Sequence, residues 1–367
     1  MLFELVNCNS ADYECDEQKQ LALSNILRTH GLKKNIVISD RKTLVDILAS
    51  KVFSRIDKTY AEDILNTRRE HGNLKKKLIL HAVIDFQYNG ISCNTADNRT
   101  AIRVGYNFFI DPDKAGAVSL LTENGQDFRF YNKMAEFYSE HISELNLKVK
   151  FKERLGAGSH SKPEFDRITS ENEILLCLVD SDKKHPKSAE GSTSRKFTIN
   201  DRKVTGLSLA KVLDVREIES LIPTAIIEKI IIPSISGKID TLDEIKKHNE
   251  NKPLFRSYFD HKEGLTLKSA IELDTKHGGF WVDILSINDR FSSKKCLNSG
   301  SCDDCKMCPK IDGFGDSLLR NSVIELEKFN LRKLRLNLDE YLKPHWTEIG
   351  ELLVGWGCAG NGGVVRS

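Results

Sequence analysis

The stretch Ile174-Leu-Leu-Cys-Leu-Val-Asp-Ser-Asp182 is the part of the sequence that decides the fold. An apolar run of this length is typical of a strand that is buried on both faces. Asp180 and Asp182 follow it two positions apart, so in an extended segment both side chains point the same way. The alternative interpretation is structural, because acids at strand ends often cap the next helix.

Strand-like and helical patterns alternate on both sides of this strand, between residues 113 and 235. The sequence predicts strands at residues 115–121, 149–151, 174–179 and 207–213. It predicts helices at residues 128–145, 165–169 and 216–230, the last apart from Pro223. Strands that alternate with helices indicate a parallel sheet with crossover helices. We therefore expect an α/β domain at residues 113–235.

We predict two further domains from the rest of the sequence. Residues 1–112 read as a mainly helical or mixed domain, with more strand-like runs at 78–86 and 101–110, and residues 236–367 as a C-terminal domain. Residues 185–200 are rich in Ser, Lys, Gly and Thr, which predicts a mobile surface loop.

The sequence carries no membrane or export signal. No run approaches the roughly 20 apolar residues of a membrane span. The start of the chain has no basic n-region and soon meets Glu4, so a signal peptide is not expected. We expect a cytoplasmic protein, in which the cysteines are thiols or metal ligands rather than disulfides.

Acidic residues follow three of the four predicted strands. They are Glu123 and Asp127, then Asp180 and Asp182, then Glu217 and Glu219. Functional residues of α/β sheets collect at the carboxyl ends of the strands, so we expect these carboxylates to serve one site. Clustered carboxylates repel each other and need a hard cation such as Mg²⁺ or Mn²⁺. Two such ions can stabilise both the attacking and the leaving oxygen of a phosphodiester displacement.

The order of these acids resembles the TOPRIM domain, in the version found in OLD-family (overcoming lysogenization defect) nucleases and related bacterial antiphage proteins. The resemblance rests on Glu123-Asn-Gly-Gln-Asp127, Gly156-Ala-Gly158, Asp180-Ser-Asp182 and Arg216-Glu-Ile-Glu219. It covers roughly a third of the chain. It implies a TOPRIM-like parallel sheet with flanking helices.

The resemblance also implies the chemistry, a metal-dependent endonuclease that cuts DNA or RNA in antiphage defence. The implied ligands of Mg²⁺ or Mn²⁺ are Glu123, Asp127, Asp180, Asp182 and Glu219. Glu217 is implied as a companion acid. Lys262 best matches a lysine that stabilises transition-state charge in this family, although a solvated surface lysine is the alternative interpretation. OLD proteins carry an ATPase before this domain, but this chain has no P-loop motif, so an ATPase would be a partner subunit.

Four cysteines lie close together at about residues 294–310. Cys296, Cys302, Cys305 and Cys308 have the spacing C-x5-C-x2-C-x2-C. This pattern predicts a structural Zn²⁺ knuckle, and the lysines around it suit contact with phosphates. Two alternatives stay open. The cysteines resemble part of a ferredoxin-type run, which would bind an Fe–S cluster, or they are unligated thiols.

The sequence favours a metal-dependent endonuclease with nucleic acid as its partner. The alternative is a nucleic-acid-binding TOPRIM and zinc protein that does not cut and acts as an adaptor in a larger complex. The number of clustered acids argues against this, since a pure binder does not need carboxylates near phosphates. The formal net charge of +2 neither requires nor excludes a nucleic-acid partner. The oligomeric state, including a homo-oligomer, stays open.

Overall fold

The computed structural model of the protein describes residues 1–231, 237–299 and 307–360. These residues divide into two compact units. Unit one contains residues 1–178, 197–211 and the described residues from 347 onward, and unit two contains the described residues of 179–196 and 212–346. The units cut across the segments 1–112, 113–235 and 236–367, which stay a prediction.

A five-stranded sheet organises the first part of unit one. Its strands are β1 (Leu2–Val6), β2 (Ile36–Ile38), β3 (Leu80–Asp85), β4 (Ile91–Ala96) and β5 (Arg99–Gly105). The order is β2-β1-β3-β5-β4, and all neighbours are parallel except the edge strand β4, which is antiparallel to β5. The accompanying helices are α1 (Ser10–Tyr13), α2 (Glu17–Gly31), α3 (Arg41–Ala49) and α4 (Arg55–His71).

This sheet corrects the expectation for residues 1–112. Helices are present there as expected, but they accompany a sheet whose first two strands the sequence did not reveal. β2 is a buried run of three residues, and in β1 the half-buried Glu4 interrupts an otherwise apolar run. Neither pattern distinguishes a strand from a piece of helix by periodicity.

A four-stranded sheet follows in the chain. The strands of this region are β6 (Val118–Thr122), β7 (Lys148–Val149), β8 (Phe151–Leu155), β9 (Leu175–Val179) and β10 (Ser208–Val212). The order in the sheet is β10-β9-β6-β8, and β6 is parallel to both β8 and β9. Every residue of β6 and β9 is buried, as in the central strands of a parallel sheet. The predicted α/β class with a parallel-rich sheet is confirmed.

The helices of this region differ from the prediction in their bounds. α5 (Gly125–Phe137) starts three residues earlier than predicted and runs into a π-turn at Tyr138–Ile142, and α6 (Ser161–Ser170) is longer than predicted. The segment 216–230, predicted to be helical apart from Pro223, is an α-helix only after this proline. A 3₁₀ turn at Ile218–Leu221 precedes Pro223, and α7 (Thr224–Ile231) begins after it. Proline disfavours helical conformation in the preceding residue, which explains the break.

Unit two is mostly helical beyond α7. Its helices are α8 (Gly237–Asn251), α9 (Phe255–Tyr258), α10 (Leu267–His277), α11 (Trp281–Leu285), α12 (Asp289–Ser292), α13 (Lys295–Ser299), α14 (Leu318–Lys328) and α15 (Leu331–Asn337). Strands β11 (Gly264–Thr266) and β12 (Lys310–Asp312) pair antiparallel. In the part of the chain that the structure describes, no helix has the length and apolarity needed to cross a membrane.

The end of the chain contributes to unit one. α16 (Lys343–Gly357) is followed by β13 (Cys358–Ala359), which pairs antiparallel with β7. Leu353 and Trp356 of this helix are fully buried. Unit one is therefore assembled from segments that lie far apart in the sequence.

Candidate active site

Asp180 and Asp182 lie on a segment that directly follows β9. The hydroxyl of the buried Ser181 donates to the carbonyl of Val215 at 2.6 Å, and the N–H of Asp182 donates to the carbonyl of Arg216 at 2.8 Å. Asp182 has a φ of 54°, a left-handed conformation that Asp adopts more readily than most residues. No helix begins at this segment, so the capping interpretation of the two acids does not apply.

The loop predicted to be mobile at residues 185–200 is anchored to this segment. The N–H of Gly191 donates to the carbonyl of Ser181 at 2.8 Å. A Cβ at Gly191 would collide with the carboxyl group and the Cβ of Asp182. Asp182 as a whole is exposed, but partial desolvation of its carboxyl at this contact raises its pKa, and the charge of Arg216 opposes that shift. Glycine is required here for close approach, a constraint that the sequence alone did not show.

Glu217 and Glu219 form a buried acidic pair beyond β10, 7% and 4% exposed. Oε1 of Glu217 accepts the backbone N–H of His261 at 3.1 Å. Within the described residues, no hydrogen-bond partner reaches the buried Oε2 of Glu219. Burial, reinforced by the charge of Glu219, raises the pKa of Glu217. A buried acidic pair of this kind needs a cation nearby.

Lys262 supplies that cation. Its Nζ lies 3.1 Å from Oε1 of Glu219 and 3.5 Å from Oε2 of Glu217. Burial alone would lower the pKa of the ammonium group, but the charges of Glu217 and Glu219, followed by that of Asp180, raise it above its usual value. The lysine is therefore charged at neutral pH, and 34% of its side chain stays exposed. The structure brings Asp180, Glu217, Glu219 and Lys262 together in unit two, and we refer to these four residues and Asp182 as the acid cluster.

An ion pair to which the sequence assigned no role fixes the backbone at Lys262. Arg216 pairs with Asp260 through Oδ2 of the carboxylate. Oδ1 of Asp260 accepts the N–H of Lys262 at 3.1 Å and the N–H of Glu263 at 2.8 Å. The start of the Lys262 side chain is thereby held in place while its end remains accessible.

A second unpredicted pair, His261 and Arg256, lies behind the acid cluster. His261 is fully buried, and burial together with the charge of Arg256 lowers its pKa well below the usual value, so the ring is neutral. Nε of Arg256 donates to Nε2 of His261 at 3.2 Å, which places the ring proton on Nδ1. Arg256 also donates to the hydroxyl of Thr224 at 2.9 Å and the carbonyl of Ile222 at 2.8 Å. Buried arginines are rare, and no sequence pattern marked this one.

Glu123 and Asp127 belong to unit one, at the start of α5. Oδ2 of Asp127 accepts the N–H of Asn124 at 3.1 Å, and the side chain of Asn124 accepts the N–H of Asp127 at 3.2 Å. This reciprocal pair is a capping box, which gives Asp127 a structural role. Glu123 is exposed, and its backbone carbonyl accepts the N–H of Ala157 at 3.0 Å. The glycine turn, in which Gly158 has a φ of 63°, therefore adjoins Glu123.

Two of the four cysteines of the predicted zinc knuckle, Cys302 and Cys305, lie outside the described residues. Cys296 is buried in α13. Sγ of Cys308 accepts the backbone N–H of Lys268 at 3.3 Å. Zinc, an Fe–S cluster and unligated thiols therefore all stay predictions for this cluster.

Two carboxylates of the acid cluster pair with an ammonium group and not with a metal ion. Across residues 1–231, 237–299 and 307–360, no group of three or more His, Cys, Asp or Glu side chains is arranged to hold a metal ion. Glu217 and Glu219 point at Nζ of Lys262 instead. As it stands, the arrangement is an acidic site in which the charge of one lysine offsets part of the negative charge.

The chain was matched against models of protein families, against curated proteins and against solved structures. No family model, no curated protein and no solved structure matches it.

Proposed function

We propose that the chain is a metal-dependent nuclease that hydrolyses phosphodiester bonds of DNA or RNA. The observation that carries the proposal is the buried pair Glu217 and Glu219 around Nζ of Lys262, with Asp180 in the same electrostatic field. Burying carboxylates is unfavourable unless their charge is offset. Such groups with shifted pKa values cluster at functional sites.

The donor set suits a hard divalent cation such as Mg²⁺ or Mn²⁺. Asp180, Asp182, Glu217 and Glu219 are the acids of unit two that would supply its ligands, and their side chains would have to rearrange to hold it together, since the described residues contain no ready-made metal site. Oε2 of Glu219 is buried and lacks a hydrogen-bond partner among the described residues, so a cation would satisfy it. When bound, a divalent cation lowers the pKa of a water molecule and withdraws charge from the scissile phosphate.

Lys262 would act on the phosphate directly. Its backbone is held by Asp260, while its ammonium end is partly exposed. The ammonium group is therefore open to a bound phosphate without movement of the backbone. A positive charge at that position stabilises the negative charge that develops in the transition state.

Glu123 and Asp127 enter the proposal through the family resemblance. The capping box already accounts for the carboxylate of Asp127. Glu123 is exposed beside the glycine turn and is the stronger candidate ligand of the two.

The same proposal includes the domain type, the biological role, a partner subunit and a second metal site. It comprises a TOPRIM-like catalytic domain, a role in antiphage defence, a separate ATPase subunit and a zinc knuckle at the cysteine cluster. The ordered acids after β6, β9 and β10, together with the cysteine spacing, support it. A parallel β6-β9 pair is compatible with it.

The second candidate is a nucleic-acid-binding adaptor that does not cut. One observation favours it. Lys262 already neutralises part of the acid cluster, so Glu217 and Glu219 have a counter-ion without any metal. In an adaptor these residues would only stabilise unit two.

Cleavage of plasmid DNA and total RNA in Mg²⁺, Mn²⁺ or EDTA separates the two candidates. We expect the wild-type protein to cut one substrate only with a divalent cation. The Asp180→Ala/Asp182→Ala variant and the Lys262→Met variant should each cut at least about 100-fold more slowly than the wild type. This is the usual loss when charge stabilisation is removed. The Asp243→Ala variant, which removes an exposed acid of α8 in the same unit, should cut at the wild-type rate.

Binding of the same nucleic acids decides the opposite case. If the wild-type protein and the variants bind equally and none of them cuts, the adaptor is the correct function.

A further inference from the structure

We infer that unit two contains a second binding site, a cavity that takes a small zwitterion of the α-amino acid class, with the carboxylate of the ligand on Arg256 and its ammonium group toward Glu250. The site is separate from the acid cluster, and the inference does not depend on the proposed function. Its evidence is a buried guanidinium group and a buried hydroxyl that the described residues do not fully satisfy.

The cavity has a volume of about 510 Å³. It lies among the start of α7, the end of α8, α9 and the segment that follows α15. Its lining residues all belong to unit two, and none of them is a member of the acid cluster. Binding sites for small molecules commonly have volumes of roughly 300–1,000 Å³, so the cavity is large enough for a free amino acid.

Arg256 lines this cavity and is 2% exposed. A guanidinium group carries five N–H donors, and Arg256 gives one each to His261, to Thr224 and to the carbonyl of Ile222. One N–H on each terminal nitrogen therefore has no acceptor among the described residues. Of their carboxylates, none comes closer than Oδ2 of Asp339, which lies 4.0 Å from Nη1 and is too far for a direct hydrogen bond. Buried arginines usually have a paired anion, and the carboxylate of a ligand would supply it.

Tyr341 offers a further donor in the same cavity. Its hydroxyl is buried and lacks a hydrogen-bond partner within the described part of the chain. Burial raises the pKa of Tyr341, and the nearby charge of Arg256 opposes that shift, so the hydroxyl keeps its proton at neutral pH. Cζ of Arg256 lies 5.2 Å from the centre of the tyrosine ring. A carboxylate could therefore accept from both side chains.

Two other charged residues of the lining are already neutralised. Lys246 pairs with Glu228, and Glu340 pairs with Lys343. Neither Glu228 nor Lys343 lines the cavity. These ion pairs leave little charge for a ligand to offset at that part of the lining.

Glu250 is an acid that remains available to a ligand. It lies near the end of α8 and is exposed, and its carboxylate has no ion pair or hydrogen bond within residues 1–231, 237–299 and 307–360. The cavity thus combines an incompletely paired cation, Arg256, with an unpaired acid. An α-amino acid carries both complementary charges, whereas a phosphate would be repelled by Glu250.

Calorimetric titration of the full chain with the free L-α-amino acids tests the inference. We expect at least one of them to bind with a stoichiometry of one per chain. Its deaminated acid and its carboxamide each lack one of the two charged groups. Each should bind at least about 10-fold more weakly, the usual effect of losing a hydrogen bond to a charged group. Inorganic phosphate should bind more weakly than the amino acid.

Tyr341→Phe removes the unpartnered hydroxyl and keeps the ring. It should weaken binding about 10-fold or more, and without ligand it should melt at or above the wild-type temperature, because a buried hydroxyl without a partner is unfavourable. If the hydroxyl only stabilised the fold, the melting temperature would fall instead. Tyr258→Phe removes a hydroxyl elsewhere in unit two and should bind like the wild type.

Glu250→Gln tests the position of the ammonium group. It should weaken binding by about 3-fold, since an exposed ion pair is screened by water. Glu272→Gln, which removes an exposed carboxylate of α10 outside the cavity, is the matched control and should bind like the wild type.

Binding of an amino acid that Tyr341→Phe and Glu250→Gln weaken and both controls leave unchanged supports the inference. It is overturned if no amino acid binds, or if either of these two variants binds as tightly as the wild type. Equal or tighter binding of the deaminated acid or of phosphate overturns it as well. No residue of the acid cluster is changed in these experiments, so their failure leaves the nuclease proposal standing.

Discussion

At the scale of single residues, Arg256 begins a chain of contacts that ends at the acid cluster. Its Nε donates to the neutral ring of His261, and the backbone N–H of His261 donates to Glu217. Arg256 and His261 are 2% and 0% exposed. A neutral imidazole accepts only through its unprotonated nitrogen, so the guanidinium group selects the tautomer and orients the ring. Arg256 thereby positions a carboxylate that it does not touch.

Arg256→Met should lower the free energy of unfolding by about 2–4 kcal/mol, because the ring of His261, the hydroxyl of Thr224 and the carbonyl of Ile222 would each lose a buried donor. Arg256→Lys should recover little, since one ammonium group cannot replace a planar fork of donors. Urea unfolding measures both changes. Arg332→Met, at an exposed position of α15, is the control and should unfold like the wild type. A stable Arg256→Met variant would show that the guanidinium group does not hold this region.

At the scale of elements, the sequence predicted the strand ends best. The buried runs of β6 and β9 are long enough to recognise, and the acids that follow them could be identified directly. β2 was missed because it has only three residues, and β1, although as long as β6 and β9, was missed because Glu4 interrupts its apolar run. Gly191 and Arg256 were missed for a different reason. Their roles depend on contacts with Asp182 and with His261, which no local pattern encodes.

The start of α5 shows how one acid can satisfy two interpretations. Asp127 was predicted as a metal ligand, and the structure gives it a reciprocal hydrogen-bond pair with Asn124. An asparagine at this position can still accept the N–H of Asn124, whereas an alanine cannot. The two substitutions therefore separate the cap from the charge.

Asp127→Ala should lower the free energy of unfolding by about 1 kcal/mol, the usual value of a lost cap, and Asp127→Asn by clearly less. Thermal and urea unfolding of both variants provide the measurement. If Asp127→Asn cuts nucleic acid as fast as the wild type, Asp127 only caps the helix. If it folds normally but no longer cuts, the carboxylate has the catalytic role that the family resemblance implies.

At the scale of the whole molecule, the chain passes between the two units four times, after residues 178, 196, 211 and 346. Three of these crossings fall inside β9, β10 and α16. Sequence analysis looks for domain boundaries at shifts of composition and at flexible linkers. Crossings inside helices and strands show neither a shift of composition nor a linker, so the compact units could not have been predicted from the sequence.

Because the chain returns to unit one after residue 346, we expect the described residues from 347 onward to be essential to that unit. A fragment of residues 1–346 would lose the buried side chains of Ile349, Leu353 and Trp356 and the pairing of β13 with β7. Deletion of one large buried side chain typically costs about 2–5 kcal/mol, and whole domains are stable by only about 5–15 kcal/mol. We therefore expect this fragment to lose the cooperative thermal unfolding of unit one, measured by circular dichroism. A fragment of residues 1–360 keeps all these contacts and should keep the cooperative transition, so the same transition in the shorter fragment would contradict the assignment of this part of α16 to the core of unit one.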